Sequence, residues 1–244
     1  MLFILNFVQN TASIVVNLEY KKWSDEKWIS QRDKNFDKPL NIYEVHLGSW
    51  KKEEGQEWVN YKTIAKELIA YVKKQNFTHI ELMPLNEYPF DGSWGYQCSG
   101  YFSATSRYGS CQDLMYLINA CHKAGIGVIM DYVPVHFVKD DFSLSYFDGT
   151  PLYEYEKPQD ADSQWGTANF NLWKEEVRSF LMSAAAFWID KYHVDGLRMD
   201  AISNIIHWHG NKDLGENEGA LYFIKRMNYN LHTKFPNVML IAED

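Results

Sequence analysis

The chain has 244 residues, 46% of them hydrophobic and 23% charged, enough apolar material for one large core and within the range of a single α/β barrel. Its formal charge of −8 argues against a nucleic-acid or anionic-membrane surface and fits a neutral, hydroxyl-rich partner. The three cysteines, Cys98, Cys111 and Cys121, are odd in number and lack Cys-x-x-Cys spacing, the pattern of reduced thiols in a cytoplasmic protein.

Residues 1–10 carry no basic leader, and Asn6, Gln9 and Asn10 interrupt their apolar run, so they read as neither signal peptide nor membrane span. Residues 12–20 (Ala-Ser-Ile-Val-Val-Asn-Leu-Glu-Tyr) predict one β-strand with too few partners to stand alone. Residues 21–38 are charged, hold Trp23 and Trp28, and stop before Pro39. They read as a linker along a domain surface. The expected division is therefore 1–38, the end of a preceding β-sandwich module with its linker, and 39–244, the beginning of a second domain.

From Leu40 the pattern becomes strand, helix, strand. Residues 41–47 predict the first strand, and 61–72 a helix with Ile64, Ala65, Leu68, Tyr71 and Val72 at helical spacing. Residues 78–85 predict the second strand. Ser110 and Asp113 form a capping-box pattern ahead of Leu114, Leu117, Ile118 and Cys121, with Gly125 as the stop. Residues 126–133 predict the third strand, followed by a long polar and aromatic loop. Asn171 is expected to cap a helix with Glu175 and Glu176 in its first turn and Val177, Leu181, Ala184, Trp188 and Tyr192 as its buried stripe. Residues 194–200 predict the fourth strand, Leu221, Ile224, Met227 and Leu231 mark another helix, and 238–243 predict the fifth strand. Five β-α units with apolar strands predict a parallel sheet covered by helices. A doubly wound sheet stays open, but no Gly-x-Gly-x-x-Gly follows the first strand. The long loops after strands two and three favour an incomplete (β/α)8 TIM-type barrel, about its first five units. Its first and fifth strands would be unpaired edges, which invite aggregation.

Strand side chains alternate with period two, so Gly196, Arg198 and Asp200 share one face and Leu197, Met199 and Ala201 the other. The same parity turns Asp131 and Glu243 inward, and His136 follows Asp131 by five residues. Three successive strands then end in carboxylates around Arg198, where one carboxyl is expected to rise in pKa while the partner of Arg198 stays ionised. That is the environment in which a glycosidic bond is cut. Asp244 would face the other side of its strand. His46 reads as a barrel-lining histidine, and His207 and His209 do not share a helix face. Cys98 has no basic partner in view, and Trp94 reads equally as a sugar platform or a loop anchor. No metal and no cofactor are expected.

Several segments resemble the α-amylase superfamily and, within it, the α-1,4-glucan branching enzymes. Asp-Tyr-Val-Pro-Val-His-Phe (131–137), Asp-Gly-Leu-Arg-Met-Asp-Ala (195–201) and Ile-Ala-Glu-Asp (241–244) are similar to three conserved regions of the superfamily. Tyr-Glu-Val-His-Leu-Gly-Ser-Trp (43–50), Gly-Ser-Trp-Gly-Tyr-Gln with Gly-Tyr-Phe and Thr-Ser-Arg-Tyr-Gly (within 92–109), and Trp-Gly-Thr-Ala-Asn-Phe-Asn (165–171) resemble branching enzymes more specifically. The resemblance implies Asp200 as nucleophile, Glu243 as acid and then base, and Arg198 holding Asp200 ionised. It implies Tyr96, Asp131 and His136 as contacts to the donor-side glucose, Tyr96 by stacking. It also implies an α-glucan substrate of the glycogen or amylose kind, transfer of a cut α-1,4 chain to a 6-hydroxyl, and a glucan-binding role for the module before residue 39. Tyr132 and Val135 depart from the more usual Trp and small residue. Strands six to eight, a further shared Asp and a C-terminal β-domain have no counterpart, so the 244 residues alone are expected to be inactive. A hydrolase of the same superfamily and a non-catalytic glucan-binding piece are the alternatives.

Overall fold

The structure is a computed structural model, and it describes residues 2–5, 13–33, 37–52, 54, 55 and 57–244. The polar interruptions Asn6, Gln9 and Asn10, and Ala12 at the head of the first expected strand, lie outside the described residues. Strand β1 (Leu2–Leu5) pairs antiparallel with β2 (Ser13–Val16), so the strand expected over 12–20 is shorter and has a partner. Beyond it, Val16, Leu18, Tyr20 and Trp23 pack against the main core. Part of the expected linker is a helix, α1 (Glu26–Gln31).

Strand β3 (Ile42–Val45) ends earlier than its apolar pattern suggests, because His46 opens the short helix α2 (Leu47–Trp50). His46 therefore stands just past the strand instead of within it. Its Nδ1 meets Ser49 Oγ at 2.9 Å, and burial pushes its pKa down. Helix α3 (Tyr61–Lys74) is capped by Asn60, whose side chain accepts from the Lys62 N–H at 2.8 Å. It buries Ile64, Ala65, Leu68 and Val72 and leaves Tyr71 exposed. Strand β4 (His79–Leu82) is buried throughout. In the following loop β5 (Asn86–Glu87) pairs with β6 (Gly100–Ala104).

Helix α4 (Cys111–Lys123) has the expected capping box: Ser110 Oγ accepts from the Asp113 N–H, and Asp113 Oδ2 accepts from the Ser110 N–H. Gly125 follows its end at φ +77°, a conformation that favours glycine. Strand β7 (Gly127–Tyr132) is buried at all six positions. The long loop after it holds β8 (His136–Phe137), the single turn α5 (Pro158–Ala161) and β9 (Ala168–Asn169), with β8 and β9 paired antiparallel.

Helix α6 (Glu175–Tyr192) begins after Lys174, not Asn171. Asn171 instead closes the preceding turn, its side chain accepting from the Trp173 N–H and its carbonyl from the Lys174 N–H. The stripe from Val177 to Tyr192 is buried as its spacing implies. Deleting Leu181, fully buried there, would cost about 2–5 kcal/mol. Strand β10 (Gly196–Met199) leads through α7 (Ile202–Ile206) to α8 (Glu218–Lys234), whose core face is Ala220, Phe223, Met227 and Leu231. The helix marked by Leu221, Ile224, Met227 and Leu231 is present; Met227 and Leu231 lie on its buried face, while Leu221 and Ile224 are partly buried at its flank. Strand β11 (Met239–Ala242) completes the sheet.

The main sheet has the order β11-β10-β7-β4-β3, and every neighbouring pair in it is parallel. Spatial order follows chain order without a reversal. A doubly wound sheet changes direction at a switch point, whereas a barrel does not. The architecture is therefore the first five strands of a (β/α)8 barrel, with β3 and β11 at its edges.

Candidate active site

Parallel register builds the centre of the site. Arg198 on β10 lies directly opposite Asp131 on β7, and inward parity turns both side chains to the same mouth. Arg198 Nη1 donates to Asp131 Oδ2 at 2.6 Å and to Asp200 Oδ1 at 3.3 Å, and Nη2 lies 3.2 Å from Glu243 Oε1. One guanidinium thus bridges carboxylates delivered by β7, β10 and β11. Tyr96, from the loop between η-turn 91–93 and β6, donates its hydroxyl to Asp131 Oδ2 at 2.7 Å and accepts from Arg198 Nη1 at 3.3 Å.

The backbone fixes the two remaining carboxylates. The Asp200 N–H donates to the Tyr132 carbonyl and the Glu243 N–H to the Met199 carbonyl, each at 3.0 Å. Ala201, in the left-handed region at φ 49°, turns its N–H onto Glu243 Oε2 at 2.9 Å. A non-glycine residue held there is strained, and here the strain aims a hydrogen bond at a carboxylate of the site.

Electrostatics follow from three carboxylates sharing one cation. Burial, then the charge of Asp131, and finally that of Glu243 push Asp200 up to about 7, although Arg198 pulls the other way. Burial also raises Asp131, outweighing its bonds from Arg198 and Tyr96. Arg198 favours the ionised form of Asp200, as expected, but burial and the two neighbouring carboxylates outweigh it. The guanidinium sits closest to Asp131, and Asp200 keeps a share of the proton near neutral pH. Burial depresses His136 to about 4, so its ring is neutral, and its Nδ1 is buried without a hydrogen-bond partner. Asp131 Oδ1 is likewise buried and unpartnered. Two buried polar atoms left without a partner beside the cleft cost free energy, which is tolerated more often at a functional position than in an ordinary core.

These groups border a cleft of about 530 Å³ whose walls include Tyr96, His136, Trp165, Arg198, Asp200 and Glu243. Asp131 lies behind Tyr96 and Arg198. Asp244 also reaches the wall: β11 ends at Ala242, so strand alternation no longer governs it. Trp165 was visible in the sequence only as part of a motif. Its ring centroid lies 4.9 Å from that of His136, and it is 41% exposed, an apolar face presented to the cleft. Trp94 is more exposed still and stands in the left-handed region at φ 54°. Cys98 is buried, bonds the Gly95 carbonyl, and is pushed well up by burial, which suits a thiol and not a thiolate. Among the described residues no group of three or more His, Cys, Asp or Glu could hold a metal ion, and no helix is long and apolar enough to cross a membrane.

Residues 44–165 match the family described as alpha amylase, catalytic domain. Over 96% of its length the chain is 53% identical to the 1,4-alpha-glucan branching enzyme GlgB of Fusobacterium nucleatum and 52% identical to that of Geobacillus stearothermophilus. It spans 38% and 37% of those relatives, little more than a third of their length. A crystal structure from Salmonella typhimurium, provisionally described as an alpha amylase, superposes with a TM-score of 0.73 at 23% identity, covering 94% of this chain and 35% of that one.

Proposed function

We propose, for a chain that belongs to the α-amylase family of catalytic domains, that it is part of a retaining glycosyltransferase that cuts α-1,4-glucan chains and rejoins them as α-1,6 branches. The observation that carries this reading is the bridging of Asp131, Asp200 and Glu243 by one Arg198 at a cleft wall. The similarity to branching enzymes selects transfer over hydrolysis, since both pass through the same covalent intermediate.

In the first step an oxygen of ionised Asp200 bonds to the anomeric carbon and the bond from that carbon to the leaving O4 breaks. Glu243 gives its proton to O4. In the second step a 6-hydroxyl attacks the anomeric carbon, its proton passes to Glu243, and the bond to Asp200 is released. Arg198 stabilises whichever of the carboxylates is charged at each stage. Tyr96 takes one face of the donor-side glucose, and His136 and Asp131 are its hydroxyl contacts, the carboxylate accepting and the neutral imidazole donating from one nitrogen or accepting at the other. Because Arg198 also holds Asp131, it orients the sugar contact and the nucleophile together.

Residues 39–244 supply the beginning of that barrel, and 1–38 are read as the end of a preceding glucan-binding β-module. The partner is an α-glucan of the glycogen or amylose type, and the setting is cytoplasmic, in keeping with three free thiols. The test is product analysis on amylose with a protein carrying this chain and the strands that close the barrel. New α-1,6 links support transfer. Shortened linear chains would indicate a hydrolase, and glucan binding without either product would indicate a binding piece alone.

A further inference from the structure

At the opposite end of the sheet from the cleft lies a second buried ionic cluster. His122 on α4 has a carboxylate at each ring nitrogen: Asp25 Oδ2 at 2.8 Å from Nδ1, and Asp195 Oδ2 at 3.0 Å from Nε2. All three side chains are nearly sealed from solvent. Asp195 Oδ2 also accepts the Val128 N–H at 2.7 Å, and Oδ1 accepts the Trp28 indole N–H at 2.9 Å. An oxygen already accepting a backbone N–H is a poor place for a proton. Two ionised carboxylates can only accept, so the ring between them must donate from both nitrogens and carry a positive charge.

Asp25 and Trp28 belong to the segment before the barrel, whereas His122 and Asp195 belong to the barrel itself. We propose that residues 20–32 are strapped to the base of the sheet by a proton-dependent clamp, a charged His122 shared between Asp25 and Asp195. The strap holds at neutral and mildly acidic pH and loosens in alkali. The same contacts reinforce it: Trp28 stacks on His122 with ring centroids 5.4 Å apart, and Trp23 stacks on His193 at 3.9 Å. Asp195 also immediately precedes β10, the strand that carries Arg198 and leads into Asp200, so the strap is tied to the strand that carries the site.

The groups facing His122 are accounted for on every side. Asp25 also takes His193 Nδ1 at 2.9 Å, Arg32 Nη1 lies 3.6 Å from Asp195 Oδ1, and His79 and Cys121 feel the Asp195 charge. Burial alone would depress His122, but its two carboxylates outweigh burial and raise it, and in return it lowers both Asp25 and Asp195 against their own burial. A raised imidazole contributes its full stabilisation below its ordinary value and loses it as pH climbs through the raised one. Lowered carboxylates contribute theirs above their ordinary value and lose it as pH falls through the lowered one. The clamp is at full strength between about pH 4 and 6.5, weakens as pH climbs from there through the raised imidazole value, and has lost the imidazole's contribution above it.

The test follows the ring nitrogens of His122 by ¹⁵N NMR in the unsubstituted chain from pH 5 to 10. Alongside it, tryptic cleavage at Lys27 is measured, normalised at each pH to a small peptide substrate. The expected midpoint lies above the ordinary imidazole value of about 6.5, and cleavage rises roughly fivefold or more across it as the strap opens. Asp25→Asn should lower the midpoint and bring the faster cleavage down to neutral pH. A midpoint at or below that of a free imidazole, or an Asp25→Asn chain with unchanged midpoint and cleavage, overturns the proposal. Neither readout depends on the glycosyl-transfer reading, so each can fail without the other.

Discussion

Arg198 Nη1 is 2.6 Å from Asp131 Oδ2, closer than to any other carboxylate of the site. The site's single guanidinium is thus committed first to a residue that does no bond-making in the proposed reaction. Asp131→Asn releases that charge. The expected result is that the Asp200 carboxyl, followed by ¹³C NMR, titrates below its value of about 7, because its largest neighbouring negative charge is gone. An unchanged midpoint would mean that burial alone sets it.

Asp200 is raised, so it favours the folded state fully below the ordinary carboxylate value, and that contribution is lost as pH rises through about 7. Above pH 7 the ionised group is a burden on the fold. Asp200→Asn is therefore expected to be more stable than the parent at pH 8, by on the order of 2 kcal/mol, with the difference shrinking toward pH 4. Urea unfolding at both pH values measures this. The same titration gives the proposed transfer an acid limb near pH 7, since attack needs the ionised form.

Trp165→Ala removes an apolar face from the cleft and touches no carboxylate. A lost aromatic contact of about 0.5–1.5 kcal/mol corresponds to weakening of maltoheptaose binding by roughly 2- to 12-fold. The Asp200 titration should not move. Calorimetric titration with the sugar and the NMR midpoint together separate a binding wall from a residue that shapes the electrostatics.

Gly95 precedes Tyr96 at φ +95°, and a Cβ there would stand 2.6 Å from the Pro84 carbonyl oxygen. Gly95→Ala has to move the backbone that places the Tyr96 hydroxyl on Asp131. The expected cost is about 1–3 kcal/mol, with maltoheptaose binding weakened beyond what the Trp165 variant loses. Denaturant midpoints and the same calorimetry check both.

The sequence made the site more legible than its support. Parity along three strands was enough to gather Asp131, Arg198, Asp200 and Glu243, because alternation is a local rule and each residue stands at or next to a strand end. It could not rank the partners of Arg198, since the 2.6 Å contact to Asp131 depends on inter-strand register. Trp165 reaches the cleft through the fold of the loop after β7, which no periodicity encodes. The Asp25–His122–Asp195 cluster joins residues 97 and 73 positions apart, so the sequence, which reads the segment as a linker along a domain surface, does not show what holds it there. Asn171 misled for a different reason. Its cap-like side chain serves a turn, and the helix starts one turn later.

The central claim is that Asp200 forms the bond to the sugar and Glu243 moves the proton. It is tested most directly by trapping the glycosyl-enzyme with a 5-fluoroglycosyl fluoride, in a protein that carries this chain within a closed barrel, and mapping the label by peptide mass spectrometry. The account predicts one sugar on the peptide containing Asp200, lost in Asp200→Asn and still formed in Glu243→Gln, whose activated leaving group needs no acid. A label on Asp131 or Glu243, or an active enzyme that never acquires one, would contradict it.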